Sequence, residues 1–322
     1  MASRRGRSWH WPVAILVAIL TIPSFRTASA RDAGANVAPL VAETPGSGFN
    51  RLSTTVTVCA PGSARCASID HVMVDTGSVG LRLQAHAVPR ALALPFERDG
   101  SGRAVAECLR FVGAAAWGAV HRADVRIAGL VARDIPVQVI TQAGGNEIPR
   151  APSCSGTGGH PTANGTLGIG IHPTDCHGAC VQNAARPGYL SCSGGGCAAF
   201  PGPVPFALQL PNPIRRLPDH ADGVVFDVPM PARRGVDHVN GRLILGVGTA
   251  ANNELGDARP LRLGPTGRIC TEYGGIARTD SYLDSGTPFT IVPDDALPRC
   301  PGTRLDVCQR PTVRIPATLV GA

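Results

Sequence analysis

The chain has 322 residues, of which 43% are hydrophobic but only 4% aromatic, and it carries 39 glycines and 29 prolines, a composition that suits many short strands and turns rather than long helices. Its formal charge of +7 falls to +3 once Arg4, Arg5, Arg7 and Arg26 are set aside with a leader segment. All 30 basic residues are arginines scattered singly, which excludes the basic stripe of a nucleic-acid binder.

Residues 1–30 join Arg4, Arg5 and Arg7 to an apolar run from Trp11 to Phe25 and then to Ala28, Ser29 and Ala30. That is the pattern of a secretory signal peptide, expected to be cleaved near Ala30 and to direct the protein to the periplasm or the exterior. The run is short for a bilayer span of about 20 residues, and no second one follows, so stable membrane insertion is not expected. Eleven cysteines in an exported chain favour disulfides. The odd count leaves one thiol free or its partner missing from the chain.

Strand patterns begin at Ser53 to Val58, turn at Pro61 and Gly62, and resume in a strand ending at Val74. Cys59 and Cys66 face each other across the neck of this hairpin, and a disulfide between them is expected. A second hairpin system runs from Phe111 to Ile140, broken by Gly129 and Pro136. Between Gly144 and Pro213 the chain becomes loop-like and holds Cys154, Cys176, Cys180, Cys192 and Cys197. A loop this long needs staples, and the close pairs Cys176 with Cys180 and Cys192 with Cys197 are the simplest, other pairings remaining open. Strands resume at Val224–Val228, Gly241–Gly248 and Ser281–Asp284.

One short motif occurs twice. Val72-Met-Val-Asp75-Thr76-Gly77-Ser78 and Ser281-Tyr-Leu-Asp284-Ser285-Gly286-Thr287 each read as an apolar strand delivering an aspartate into a hydroxyl-glycine-hydroxyl turn, 209 positions apart. Alone, either could be an ordinary turn aspartate. Together they supply two carboxylates that, held about 3 Å apart, cannot both ionise, so one proton is shared between them. The charged member can then activate water while the protonated member polarises a carbonyl. Glycine at 77 and 286 lets the loops approach, Thr76 and Ser285 can bond across them, and Ser78 and Thr287 can bond the outer carboxylate oxygens.

These residues resemble those of the pepsin-like aspartic peptidases, in which each of two lobes supplies one aspartate. The likeness extends to Phe111–Leu130, which resembles the flap hairpin, and to Asn164-Gly-Thr-Leu-Gly168, which resembles the strand crossing behind the first catalytic loop. Gly241–Gly248 resembles the central strand of the second lobe. A further resemblance is to a group of bacterial exported pepsin-like proteins known only as a domain of unknown function, in Val74–Arg82, Gly168-Ile-Gly, Asp175–Cys180, Tyr189–Cys192 and Leu245–Asn253. The fold so implied is all-β and two-lobed, with an N-terminal lobe over 31–213 and a partial, apparently truncated C-terminal lobe over 214–322. Only 38 residues follow Asp284. The position of the usual flap tyrosine falls on Phe111, with Trp117 the nearby aromatic able to donate.

The implied activity is endopeptidase cleavage of a peptide or protein by a monomer, with Asp75 and Asp284 as the catalytic pair and neither metal nor cofactor. His172, Cys176, His177 and Cys180 could be read as a zinc site, but their spacing matches no closed four-ligand pattern. Asn164-Gly-Thr166 fits a glycosylation pattern and reads more simply as a turn. The alternative function is a pepsin-fold binding or envelope-associated module with weak or no turnover.

Overall fold

The computed structural model describes residues 34–43, 50–111, 114–141, 148, 154, 163–177, 188–232, 235–294, 297 and 315–321. The expected signal peptide and Cys180, Cys300 and Cys308 lie outside them.

The strands of the first half are β1 (Val37–Glu43), β2 (Ser53–Cys59), β3 (Cys66–Asp75), β4 (Val79–Gln84), β5 (Ala104–Phe111), β6 (Ala114–Ile127), β7 (Leu130–Ile140) and β8 (Gly165–Ile169). They are followed by β9 (Tyr189–Ser193), β10 (Gly196–Ala199), β11 (Val224–Asp227), β12 (His238–Leu245), β13 (Ile269–Tyr273), β14 (Ile276–Ser281) and β15 (Ala317–Leu319). In the order β2-β3-β8-β4-β7-β6, with β6 returning to β2, they close a six-stranded barrel. Alternation explains the pairing: in β2, Val56 and Val58 turn inward while Thr55 faces water. β4 is buried along its whole length because it runs between β7 and β8. Val56, Val58, Val74, Leu81, Leu83, Val125, Val137 and Leu167 share one core. Each such side chain contributes about 1.5–3 kcal/mol by leaving water.

β11 and β12 extend this same sheet through β1, with Ala38 opposite Leu243 and Leu40 opposite Gly241. The segment Gly241–Gly248, expected as a central strand of the second half, therefore adds to the first sheet. Its inward residues Leu243 and Leu245 are buried with Ala38 and Leu40 in the barrel core, and that burial decides where the strand pairs. Asp284 belongs instead near a small sheet of order β14-β13-β15.

The hairpin system expected over Phe111–Ile140 is β6 with β7, which pair from Gly118 with Ile140 to Ile127 with Leu130, whereas the flap-like hairpin expected from Phe111 begins earlier, at β5. β5 and β6 pair from Ala106 with Ala119 to Phe111 with Ala114, so Phe111 closes the outgoing strand and the turn at 112–113 lies outside the described residues. Trp117 sits opposite Cys108 and is buried with Cys154, Leu190 and Cys192. It serves as a core residue of this hairpin, because its position in the alternation turns it toward that cluster.

Disulfides join Cys59 to Cys66 and Cys192 to Cys197, as the hairpin necks require, and also Cys108 to Cys154. Cys176 is bridged too, while its expected partner Cys180 falls outside the described residues. Among the described residues Cys270 is the free thiol. Bridges of this kind mark an oxidising, extracytoplasmic environment. No described helix is long and apolar enough to cross a membrane.

Candidate active site

β3 carries Asp75 to the end of a strand held between β2 and β8, and Asp75 is only 5% exposed. Parallel pairing sets Asp75 beside Gly168 of β8, which also pairs with Gly80 of β4. The strand expected to cross behind this loop is thus β8. Glycine is required at 168 because a Cβ there would lie 2.7 Å from the Val79 backbone. Just beyond, the Gly170 amide donates to Ser78 O at 2.8 Å, and Asn212 Nδ2 donates to Gly170 O at 2.7 Å.

Asp284 arrives by a different route. β14 ends at Ser281, and residues 282–284 are not part of a strand, contrary to the sequence expectation. Val74, preceding Asp75, is 0% exposed, whereas Leu283, preceding Asp284, is 64% exposed. The difference is one of cover: β2 and β8 enclose the first aspartate's strand, while Leu283 O is held by the Thr76 hydroxyl at 2.9 Å.

The two loops meet through reciprocal bonds. Thr76 N donates to Ser285 Oγ at 3.1 Å and Ser285 N donates to Thr76 Oγ1 at 3.0 Å. Ser285 Oγ donates in turn to Val74 O at 2.7 Å, mirroring the bond from Thr76 to Leu283. The glycines face the opposite carboxylates: a Cβ on Gly77 would fall 2.6 Å from Asp284 Cγ, and one on Gly286 would fall 2.6 Å from Asp75 Oδ1. Only glycine permits this approach.

Each carboxylate is then fixed by its own loop. Gly77 N donates to Asp75 Oδ1 at 2.8 Å, and the Ser78 hydroxyl donates to Asp75 Oδ2. Gly286 N donates to Asp284 Oδ1 at 2.8 Å and the Thr287 hydroxyl donates to Asp284 Oδ2 at 2.6 Å. A Cβ on Gly286 would fall 2.6 Å from Asp75 Oδ1 and 3.2 Å from Asp284 Oδ1, so the two carboxyls face the same small gap. Burial raises Asp75 above the ordinary carboxylate value against the pull of Ser78 and Gly77, and the charge of Asp284 raises it further.

Two residues not singled out by sequence also hold the second loop. Arg51 Nε donates to Gly286 O at 3.1 Å and Asn50 Nδ2 to Pro288 O at 3.2 Å. They sit in an unremarkable turn before β2, so no sequence signal marked them. The His172 and His177 rings stack at 4.2 Å and Cys176 is oxidised, so Cys176 itself offers no thiolate to a metal. Asn164 turns its amide across to Asp70, 94 positions away in the chain, donating to its backbone oxygen at 3.0 Å.

No curated protein matches the chain by sequence. Among solved structures, the chain is similar to an aspartic proteinase from Irpex lacteus at 14% identity and a TM-score of 0.47. The match covers 81% of this chain and 65% of the fungal one, so the chain spans less than two thirds of that protein's length. The family model described as "Protein of unknown function (DUF3443)" matches residues 32–322, and the chain belongs to that family.

Proposed function

We propose that the protein is a secreted aspartic endopeptidase that hydrolyses peptide bonds with water activated between Asp75 and Asp284. The observation that supports this reading is the reciprocal frame of the two loops, with both carboxyls facing one small gap and the outer oxygen of each bonded by its own loop's hydroxyl. Two carboxyls so placed retain one proton between them. Burial, which raises Asp75, favours that proton on Asp75.

The Asp284 carboxylate takes a proton from water as the water oxygen bonds to the scissile carbonyl carbon, and Asp75 gives its proton to the carbonyl oxygen. Asp284 then passes its proton to the amide nitrogen as the C–N bond breaks, and one proton of the gem-diol returns to Asp75. The β5–β6 hairpin is the proposed flap, with Phe111 near its turn, and the proposed substrate is an extended peptide or protein segment.

A second reading, a pepsin-fold binding or envelope-associated module with weak or no turnover, is favoured by the exposed Leu283 beside Asp284, since an exposed segment outside any strand positions its aspartate less firmly. Incubation with a denatured protein across pH separates the two. The peptidase reading expects cleavage that peaks in acid and persists with a chelator, because both carboxylates ionise at higher pH and the general acid is lost. Absence of cleavage at every pH supports the binding module.

A further inference from the structure

The most deeply buried charges of the barrel lie beside the first aspartate's loop. Arg82 of β4 is 0% exposed, and its Nη2 donates to Glu107 Oε1 of β5 at 2.9 Å and to Asp175 Oδ2 at 2.9 Å. Those carboxylate side chains are 2% and 4% exposed. Arg82 Nη1 also donates to the carbonyl of Val79, the residue after Ser78. Tyr189 of β9 donates its hydroxyl to Asp175 at 3.0 Å and accepts from Leu210 N at 2.8 Å. β7 contributes the uncharged Gln138, whose Nε2 donates to Glu107 O at 2.8 Å.

One guanidinium faces two carboxyls here, and among the described residues Tyr189 is the other titratable group bonded to them. Were both carboxyls ionised, the cluster would carry a net negative charge with almost no water to solvate it, and removing charge from water without full compensation is costly. A cluster of this composition is therefore comfortable with one added proton. Its members come from β4, β5, β9 and the segment holding Asp175, so it joins the proposed flap strand directly to the carbonyl that follows Ser78.

We propose that Arg82, Glu107 and Asp175 form a proton-held clasp that positions the β5–β6 hairpin against the first aspartate's loop and loosens as pH rises, confining activity to acid. The restriction on activity rests on the peptidase reading, but the clasp itself does not. Burial and the neighbouring Glu107 push Asp175 well above the ordinary carboxylate value, although Arg82 pulls the other way. Burial likewise raises Tyr189, so that it remains a neutral donor. A group whose folded pKa is raised contributes stability present below its unfolded pKa and lost as pH rises through the folded one. The clasp is thus closed in acid and opens toward neutral or alkaline pH.

The test compares the wild-type chain with Asp175→Asn and Glu107→Gln, each of which removes the surplus negative charge while keeping a polar side chain. Thermal melts and hydrogen exchange of the β5 amides, corrected for intrinsic rate, are followed against pH. The wild type should lose several degrees of Tm as pH rises, and the opening equilibrium of β5 should grow by up to about tenfold per pH unit. In at least one variant both dependences should flatten, and any hydrolytic activity should extend to higher pH through kcat rather than KM. Parallel pH curves in wild type and both variants would overturn the clasp, as would failure of both variants to fold. A flattened curve in a protein that cleaves nothing would sustain the clasp and sink the peptidase reading alone.

Discussion

Thr76 and Ser285, 209 positions apart, each accept the other's backbone N–H at their hydroxyl oxygen and each donate that hydroxyl to the carbonyl preceding the other's aspartate. Replacing either with alanine removes bonds on both sides of the junction. At about 0.5–1.5 kcal/mol for each bond, Thr76→Ala or Ser285→Ala should cost about 1–3 kcal/mol. Because both changes cut the same junction, the double variant should lose less than the sum of the singles, whereas Thr76→Ser should stay near wild type. Thermal unfolding of the four proteins checks this, and strictly additive losses would contradict the shared junction.

The glycines beside the dyad give a sharper separation of fold from chemistry. A Cβ at Gly77 would meet Asp284 at 2.6 Å and one at Gly286 would meet Asp75 at 2.6 Å, in both cases at a junction where residues 284–287 are only half-buried. Gly77→Ala and Gly286→Ala should therefore reduce hydrolysis at least about tenfold while the far-ultraviolet spectrum stays unchanged, since a small displacement of reacting groups is expensive in rate. At Gly168 the Cβ would meet the Val79 backbone at 2.7 Å, inside the barrel wall. Gly168→Ala should lower Tm more than either loop variant, and the reverse order would contradict the packing described.

The proposed acid peptidase activity requires a fold that tolerates acid. Asp99 accepts from Ser191 Oγ at 2.6 Å, Ser101 Oγ at 2.7 Å and the amides of Ser101 and Arg103, and although burial opposes it these bonds draw its pKa down to about 2. A group with a depressed folded pKa contributes stability present above its unfolded value, about 3.9, and lost as pH falls through the folded one. The gap in Tm between wild type and Asp99→Asn should be steady above about pH 4 and close toward pH 2. A gap of constant size down to pH 2 would show that the charge on Asp99 contributes nothing.

What was legible in the sequence was what is local. The Asp75 and Asp284 turns announce themselves because hydroxyl-glycine-hydroxyl chemistry follows each aspartate directly, whereas β8 lies in a stretch whose composition reads as loop and was marked only by its resemblance to a crossing strand. The partner of β12 was not legible, since an alternating strand reads the same whichever sheet buries it. Trp117 was read as a donor from its nearness to Phe111, but the period of the strand points it into the core beside Cys108. Arg82, Glu107, Asp175 and Tyr189 lie too far apart in the chain for any motif to join them. The one available signal was a charge inside the apolar run Leu81-Arg82-Leu83, which a buried strand tolerates only with partners.

The most direct measurement is hydrolysis of a denatured protein at acid pH by the wild type, Asp75→Asn and Asp284→Asn, each first shown to fold by circular dichroism. An amide cannot act as the base or share the dyad's proton, so each single substitution should abolish cleavage that the wild type performs, with no rescue by divalent metal and no effect of a chelator. Cleavage retained by both variants at the wild-type rate would contradict the assignment of Asp75 and Asp284 as the catalytic pair.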